Sequence, residues 1–259
     1  DKSRKNTLLA VDIGNTSVDA AVFQNCGADP AYWEVDAHFE IPLSDADSLA
    51  GELSNAFRAV PQEAVVGSVS GHKIAENAAK AVESAFGISP LAAHCGMKTG
   101  LEIAYETPDT LGIDRLANAA ALFAIAKQAC IAVDLGTATT FDCISSKGVY
   151  LGGSICAGIE AFRNALADCA PALPTVPQGF PPSVIGANTE DCIKSGTMFG
   201  YAKMIDAMAR ALLSEMKEEA EIVATGGFSS LLSGKCETVS STDPLLTLKG
   251  LAVILKKNE

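Results

Sequence analysis

The sequence predicts a duplicated α/β protein, each half built from a β-hairpin, further strands and helices. Two apolar runs, 8–11 and 131–133, each stop on an aspartate and turn through a glycine, as VDIGNT (11–16) and VDLGTA (133–138). The two aspartates, Asp12 and Asp134, lie 122 positions apart in a chain of 259 residues. After each turn the pattern repeats itself: short β-rich runs first, then longer stretches of helical periodicity.

Taken in order, residues 8–11 and 20–23 flank the first turn as a hairpin, and 38–41 add a third strand. Residues 44–60 read as a helix, because Leu49, Leu53 and Phe57 recur at spacings of four. A β-rich run at 64–69 precedes a second helix at 73–86. Pro108 and the polar pair Asp109-Thr110 open a long Ala- and Leu-rich helix that ends near Lys127. The second half begins with strands at 130–133, 139–145 and 149–151. Its longest helix covers about 189–216, where Ile205, Met208, Ala209, Leu212 and Met216 form an apolar stripe suited to a core or to a dimer seam. Residues 222–224 form a last buried strand ending at Gly226-Gly227, and the Pro- and Gly-rich stretch 171–187 connects helices. This organisation predicts two domains, 1–127 and 128–259.

The totals narrow the function classes. The length buries a substantial core, and 48% apolar with 19% charged residues is a globular composition. No apolar run approaches the roughly 18 residues of a membrane span, and the polar start, residues 1–6, does not read as a signal peptide. We therefore expect a cytoplasmic protein with no membrane partner. A formal charge of −12 argues against a broad nucleic-acid-binding surface. Eight cysteines include no C-x-x-C pair, and Cys130, Cys143, Cys156 and Cys169 recur at intervals of 13, so buried free thiols are expected rather than zinc or disulfides. The three histidines, His38, His72 and His94, show no metal-ligand spacing.

The turns suggest phosphate chemistry. A tight turn aims backbone N–H groups into a concavity that favours anions, and glycine permits the needed φ and a close approach. Gly14, Asn15, Thr16 and Thr137 supply such backbone, amide and hydroxyl donors. A carboxylate beside an anion site makes sense once a cation is added, since Mg²⁺ takes carboxylate, water and phosphate oxygens. Asp12 is thus the expected holder, directly or through water, of a metal carried by ATP.

Duplicated D-x-G turns resemble the superfamily of actin, heat-shock chaperones and sugar kinases, and within it the chain closely resembles the type III pantothenate kinases. The matching stretches run in family order from residue 8 to 251: LLAVDIGNT, KTGLEIAYETP, LGIDRLANA, VDLGTATTFD, YLGG, PPSVIGANTEDCIKSG, IVATGGF and DPLLTLKGL. The resemblance implies two ribonuclease H-like domains with mixed sheets flanked by helices. It implies ATP-dependent phosphorylation of pantothenate to 4'-phosphopantothenate, the first step toward coenzyme A, by a homodimer that needs Mg²⁺ and K⁺ or NH₄⁺. It also places Asp12, Asn15 and Thr16 at metal and ATP phosphates, Asp134 at the monovalent cation, and Thr137 at phosphate. Tyr105, Gly112, Asp114 and Arg115 match the pantothenate segment, with Asp114 as general base and Arg115 gripping the substrate. Gly226 and Gly227 fall on the adenosine side.

Gly112-Ile113-Asp114-Arg115 also makes chemical sense by itself. Arginine offers a planar fork to a carboxylate, and aspartate accepts a hydroxyl proton during phosphoryl transfer. Adjacent helical side chains diverge by about 100°, so the pair addresses different parts of one ligand or, as plain surface residues, none. The chain departs from the family at Ala157, where proline is usual, which is expected to loosen a loop. It departs again at Gly67–Gly71, GSVSG in place of a commoner Ser-Ser-Val-Val-Pro. A non-catalytic nucleotide-binding paralogue and a kinase of another small hydroxy acid remain alternatives. Nucleotide preference, the choice of monovalent cation and feedback control are not legible.

Overall fold

The computed structural model describes residues 7–27, 30–57 and 60–259. The polar start 1–6, and residues 58 and 59 of the helix expected over 44–60, lie outside the described residues. The strands are, in chain order, β1 (Thr7–Ile13), β2 (Ser17–Gln24), β3 (Glu34–Pro42), β4 (Glu63–Ser68), β5 (Leu91–Ala92), β6 (Glu102–Ile103), β7 (Cys130–Leu135), β8 (Ala138–Ile144), β9 (Val149–Ala157), β10 (Glu221–Thr225) and β11 (Ser241–Thr242). The helices are α1 (Leu49–Ala56), α2 (His72–Phe86), α3 (Ile113–Ala126), α4 (Ile159–Cys169), α5 (Thr189–Lys194), α6 (Gly200–Met216), α7 (Ser229–Leu232) and α8 (Leu246–Lys257).

The chain divides into two compact units, but not into consecutive halves. Unit 1 holds residues 1–127, 148–150 and 245–259, and unit 2 holds 128–147 and 151–244. The last helix returns to unit 1 for a packing reason. Gly250 of α8 lies so close to α3 that a Cβ there would sit 2.0 Å from the Ala117 carbonyl oxygen. The alanines of α3 and this glycine let two backbones meet over a buried seam, which Thr247 Oγ1 tightens by donating to Asn118 Oδ1 at 2.8 Å.

Unit 1 is a mixed five-stranded sheet in the order β3-β2-β1-β4-β5. β1 pairs antiparallel with β2 and parallel with β4. Side-chain alternation splits its core. Leu9, Val11, Val18 and Val66 belong to one buried cluster with Leu49 and Leu53 of α1 and Val82 of α2. Leu8, Ala10, Ala21 and Val65 belong to another with Ile113 of α3 and Leu251 of α8. Two-residue periodicity places Asp12 on the α3/α8 face.

Unit 2 repeats the topology. Its strands run β11-β10-β7-β8-β9, with β7 antiparallel to β8 and parallel to β10. Within unit 1, Val149 and Tyr150 at the start of β9 pair parallel with Glu102 and Ile103 of β6. The order β3-β2-β1-β4-β5 is thus matched strand for strand by β9-β8-β7-β10-β11, the expected duplication. Met208, Leu212 and Met216 pack against the cluster formed by Ile131, Val133, Ile205 and Ala224, so the apolar stripe faces unit 2's own core.

Several boundaries differ from expectation. The helix expected over 44–60 begins as a 3₁₀ stretch, Leu43–Ser48, and becomes α-helical only at Leu49. Likewise Pro108–Thr110 is 3₁₀, and α3 starts after Gly112, whose extended backbone breaks the run. The expected 189–216 helix contains a π-helical turn, Ser195–Phe199. There Ser195 Oγ donates to the Val184 carbonyl and Thr197 Oγ1 to that of Ile193. The strand expected at 149–151 continues to Ala157. All eight cysteines are free, as expected, but Cys169 and Cys192 are exposed because they fall on the outer sides of α4 and α5.

Candidate active site

In unit 1, Asp12 stands next to last in β1, opposite Asp19 of β2 and Gly67 of β4. The turn closes with the Gly14 N–H donating to the Ser17 carbonyl at 2.9 Å. Asn15 and Thr16 are exposed at its tip. Neither Gly14 nor Gly136 of the second turn has a positive φ, because both turns close with ordinary backbone. A Cβ at Gly14 would meet only the Ser17 carbonyl, at an ordinary 3.4 Å. What remains for this glycine is close approach by a ligand.

The departure at Gly67–Gly71 acquires a role. Ser70 Oγ donates to the Gly14 carbonyl at 2.5 Å, and the Val69 N–H to that of Ile13 at 3.1 Å. Gly67 lies against Leu251, leaving 2.6 Å for a Cβ, and Gly71 turns into α2 with φ +100°. This segment is the buttress of the first turn.

On the same face, α3 presents its first turn. Asp114 Oδ1 folds back over the helix start and accepts the Arg115 N–H at 2.8 Å. A Cβ on Gly112 would lie 2.3 Å from that oxygen, so a side chain there would require the Asp114 carboxylate to move. Burial pushes the Asp114 carboxyl up from the usual range, while the Arg115 N–H and guanidinium pull the other way and only partly offset it. Arg115 is buried, 6% exposed, whereas Asp114 is half-buried, in keeping with their divergence around the helix. Tyr105 is half-buried and meets Tyr150 edge-on, with ring centroids 6.1 Å apart.

Unit 2 builds the second turn with closer packing. Asp134 of β7 is opposite Thr140 of β8 and Thr225 of β10. Gly226 has φ +85°, and a Cβ there would sit 2.4 Å from Asp134 Oδ1. Gly227 faces open space, and Thr137 is exposed. Gly158, the residue before α4, leaves only 2.3 Å between a Cβ and the Thr137 carbonyl oxygen. The position of Ala157 is not the loosened loop expected. It ends β9, and its carbonyl accepts the Tyr201 hydroxyl at 2.6 Å, which also meets Thr139 Oγ1 at 2.7 Å. Gly158 and Tyr201 were not singled out from the sequence. For Gly158 the usable signal was its place just before a helix, in the stretch following YLGG. For Tyr201 there was none.

Among the described residues, no group of three or more His, Cys, Asp and Glu side chains is arranged to hold a metal by itself. No described helix is long and apolar enough to cross a membrane. Residues 8–211 match the family model for type III pantothenate kinase. The chain belongs to the type III pantothenate kinase family. The type III pantothenate kinase of Anaeromyxobacter dehalogenans (strain 2CP-C) is 37% identical over 255 residues, covering 97% of this chain and 99% of that one. Among solved structures, component A of (R)-2-hydroxyglutaryl-CoA dehydratase from Acidaminococcus fermentans aligns with a TM-score of 0.57 at 15% identity, over 97% of each chain. A ROK family glucokinase from Streptomyces griseus, solved with glucose and AMPPNP, aligns with a TM-score of 0.50 at 14% identity, over 95% of this chain and 98% of that one. At such identities the likeness is one of fold, and the fold is the duplicated one of sugar kinases.

Proposed function

We propose that this member of the type III pantothenate kinase family transfers the γ-phosphoryl group of ATP to the primary hydroxyl of pantothenate, giving 4'-phosphopantothenate. The observation that carries the reading is Asp114. Its carboxylate sits at the start of α3 on the face of the unit 1 sheet that also bears Asp12, and burial makes it more basic than an ordinary aspartate. Such a group is suited to accept the hydroxyl proton as the oxygen attacks phosphorus. Arg115 holds the pantothenate carboxylate, Gly112 keeps space for the Asp114 carboxylate, and the Tyr105 ring borders the acceptor.

Asp12, Gly14, Asn15 and Thr16 receive ATP phosphates on the unit 1 side. Thr137 of unit 2 also receives phosphate, and Gly226 and Gly227 serve the adenosine side, Gly227 with its open α-carbon toward the nucleoside. The Asp12 carboxylate, with Asp19 opposite it on β2, fits Mg²⁺ that keeps waters and phosphate oxygens as its other ligands. Bound there, Mg²⁺ neutralises charge on the phosphates. Asp134 and its neighbouring hydroxyls fit a monovalent cation, K⁺ or NH₄⁺, which offsets charge where no Walker-type lysine exists.

The working form is a homodimer. Leu151 and Ile155 of β9 and Phe162 of α4 are 43%, 63% and 47% exposed, and burying them accounts for apolar side chains otherwise left in water. Eight free thiols suit a reducing compartment, and we place the reaction in the cytoplasm.

Steady-state kinetics with each substrate varied test the reading. Asp114→Asn is expected to lower kcat by about 10² to 10⁴ with the fold intact. Arg115→Gln is expected to raise the pantothenate KM roughly ten- to hundred-fold, the scale of a lost charge-assisted hydrogen bond, with little change in ATP KM. The acid limb of the wild-type rate profile should lie above the ordinary aspartate range, activity rising as pH passes the raised pKa. Wild-type kcat in well-folded Asp114→Asn protein removes the general base. ADP release with simple hydroxy acids but not pantothenate reassigns the acceptor.

A further inference from the structure

The row of side chains crossing the second sheet at Asp134 contains a group that the proposed reaction does not use. Register sets Thr225 on one side of Asp134 and Thr140 on the other. Directly opposed residues of neighbouring strands project from the same face. That face is not the one packed against α6, which takes Val133, Leu135 and Ala224 from the alternate positions. Thr225, Asp134 and Thr140 therefore present three oxygen-bearing side chains in line.

The two threonines differ. Thr140 Oγ1 donates to Asp142 Oδ2 at 3.3 Å, so its proton is engaged. Thr225 is 1% exposed, and its hydroxyl oxygen has no hydrogen-bond partner among the described residues. A buried hydroxyl in that condition is destabilising, and valine would fill the same volume without the penalty. The backbone that follows closes on the same carboxylate, since Gly226 leaves only 2.4 Å between a Cβ and Asp134 Oδ1. The orphaned hydroxyl and the carboxylate thus stand side by side on neighbouring strands of one sheet face.

We propose that Thr225 Oγ1 is a ligand of the monovalent cation held at Asp134, and that it helps set the preference for K⁺ or NH₄⁺ over Na⁺. The inference rests on the proposed cation role of Asp134. One carboxylate with neutral oxygens balances a single positive charge, whereas hard dications gather more carboxylates or phosphate oxygens. A hydroxyl oxygen also accepts the N–H of ammonium, so one group serves both ions.

Three variants and one crystal separate the outcomes. Thr225→Val should raise the K⁺ concentration for half-activation about tenfold or more, since even groups one layer out from a metal cost about 10–100-fold when removed. It should also abolish the extra thermal stabilisation that KCl gives over NaCl in the presence of Mg²⁺ and ADP, and leave pantothenate KM unchanged. Thr225→Ser, which keeps the oxygen, should restore both responses. In wild-type crystals soaked with Tl⁺, an anomalous peak is expected in contact with both the Asp134 carboxylate and Thr225 Oγ1. This last measurement holds even if the valine variant folds poorly. A peak touching Asp134 but not Thr225, or a wild-type K⁺ response in Thr225→Val, overturns the inference. If Asp134→Asn also keeps the wild-type K⁺ response, the cation reading of Asp134 fails with it. If Asp134→Asn loses that response while Thr225→Val keeps it, the Thr225 inference alone falls.

Discussion

Asp12 and Asp134 end equivalent strands of two copies of one topology, and each is flanked in register by a residue of its hairpin partner and one of the parallel strand. Around Asp12 the neighbours are Asp19 and Gly67, with Glu40 next in the row on β3. Around Asp134 they are Thr140 and Thr225. The backbone is shared and the charge is not. In the first row burial pushes the Asp19 carboxyl up, against the pull of His38 at 2.6 Å, and Glu40 pushes it further. Carboxylates set side by side in one row repel one another, and a dication offsets that cost. In the second row the carboxylate lies between two hydroxyl-bearing side chains, the setting we propose for a monocation. The two turns share a topology and differ at the flanking register positions, and the proposed division of cations between them follows from that difference.

The largest effect should come from exchanging the carboxylates for amides. Asp12→Asn is expected to lower kcat/KM by about 10² to 10³, the scale of removing one preorganised electrostatic group, and to raise the Mg²⁺ requirement. Asp134→Asn should leave the Mg²⁺ requirement near wild type and flatten the response to K⁺. The measurement is activity titrated with each cation at saturating concentrations of the other. Equal shifts in both titrations for both variants would falsify the division of labour. The removal of Asp114's charge provides a control on stability. Its folded pKa is raised, so its contribution is favourable below the unfolded pKa and is lost as pH climbs through the folded value. At neutral pH, Asp114→Asn should therefore melt no lower than wild type.

Much of this was legible in the residues. Alternating runs and a repeated D-x-G turn specify two hairpins, because strand period and turn chemistry are local properties. The duplicated strand order followed from that repetition. Other features depend on contacts between residues distant in sequence, and these stayed hidden. Nothing local says that Gly250 must admit the Ala117 carbonyl, so the return of α8 to unit 1 was missed. Nothing in GSVSG says that Ser70 reaches Gly14, 56 positions earlier. Gly112 was attached to the acceptor segment by resemblance, while its contact with the Asp114 carboxylate emerges only from the folded helix start. Composition favours burial for cysteine, but Cys169 and Cys192 fall on the outer sides of their helices.

The turn glycines test the comparison at an intermediate scale. Gly226→Ala places a methyl against Asp134 Oδ1 at a left-handed φ of +85°, so strain and overpacking act together. A loss of about 1–3 kcal/mol is expected, with a weakened K⁺ response because the carboxylate must move. Gly14→Ala has room and no left-handed backbone, so its stability should change by less than about 0.5 kcal/mol. Its effect should appear in ATP KM, where a methyl obstructs the phosphate. Denaturant melts and ATP titrations of the two variants, run together, distinguish structural strain from ligand obstruction. A strongly destabilised Gly14→Ala protein would show that the first turn is as tightly closed as the second.

The smallest expected effect concerns how each turn is held. The second is clamped by packed backbone, Gly158 against the Thr137 carbonyl, with the Tyr201 hydroxyl bonded at Ala157 and Thr139. The first depends more on side-chain chemistry, with the Ser70 hydroxyl on the Gly14 carbonyl. A single neutral hydrogen bond contributes about 0.5–1.5 kcal/mol net. Ser70→Ala should therefore lower stability by no more than that, because the half-buried carbonyl it leaves can take a water in exchange. Its functional trace should be a loss of turn order, seen as a rise in ATP KM of a few-fold with kcat and pantothenate KM near wild type. Ser70→Thr, which keeps the hydroxyl, should recover ATP KM if the added methyl is accommodated. Hydrogen exchange of the 14–17 amides, measured with and without Mg²⁺ and ATP, reports the order directly. Faster exchange in the apo Ser70→Ala protein that returns to the wild-type rate on nucleotide binding supports a buttress that preorganises the turn. Unchanged exchange, with unchanged ATP KM, would mean that the hairpin holds its own shape and that Ser70 is dispensable to it.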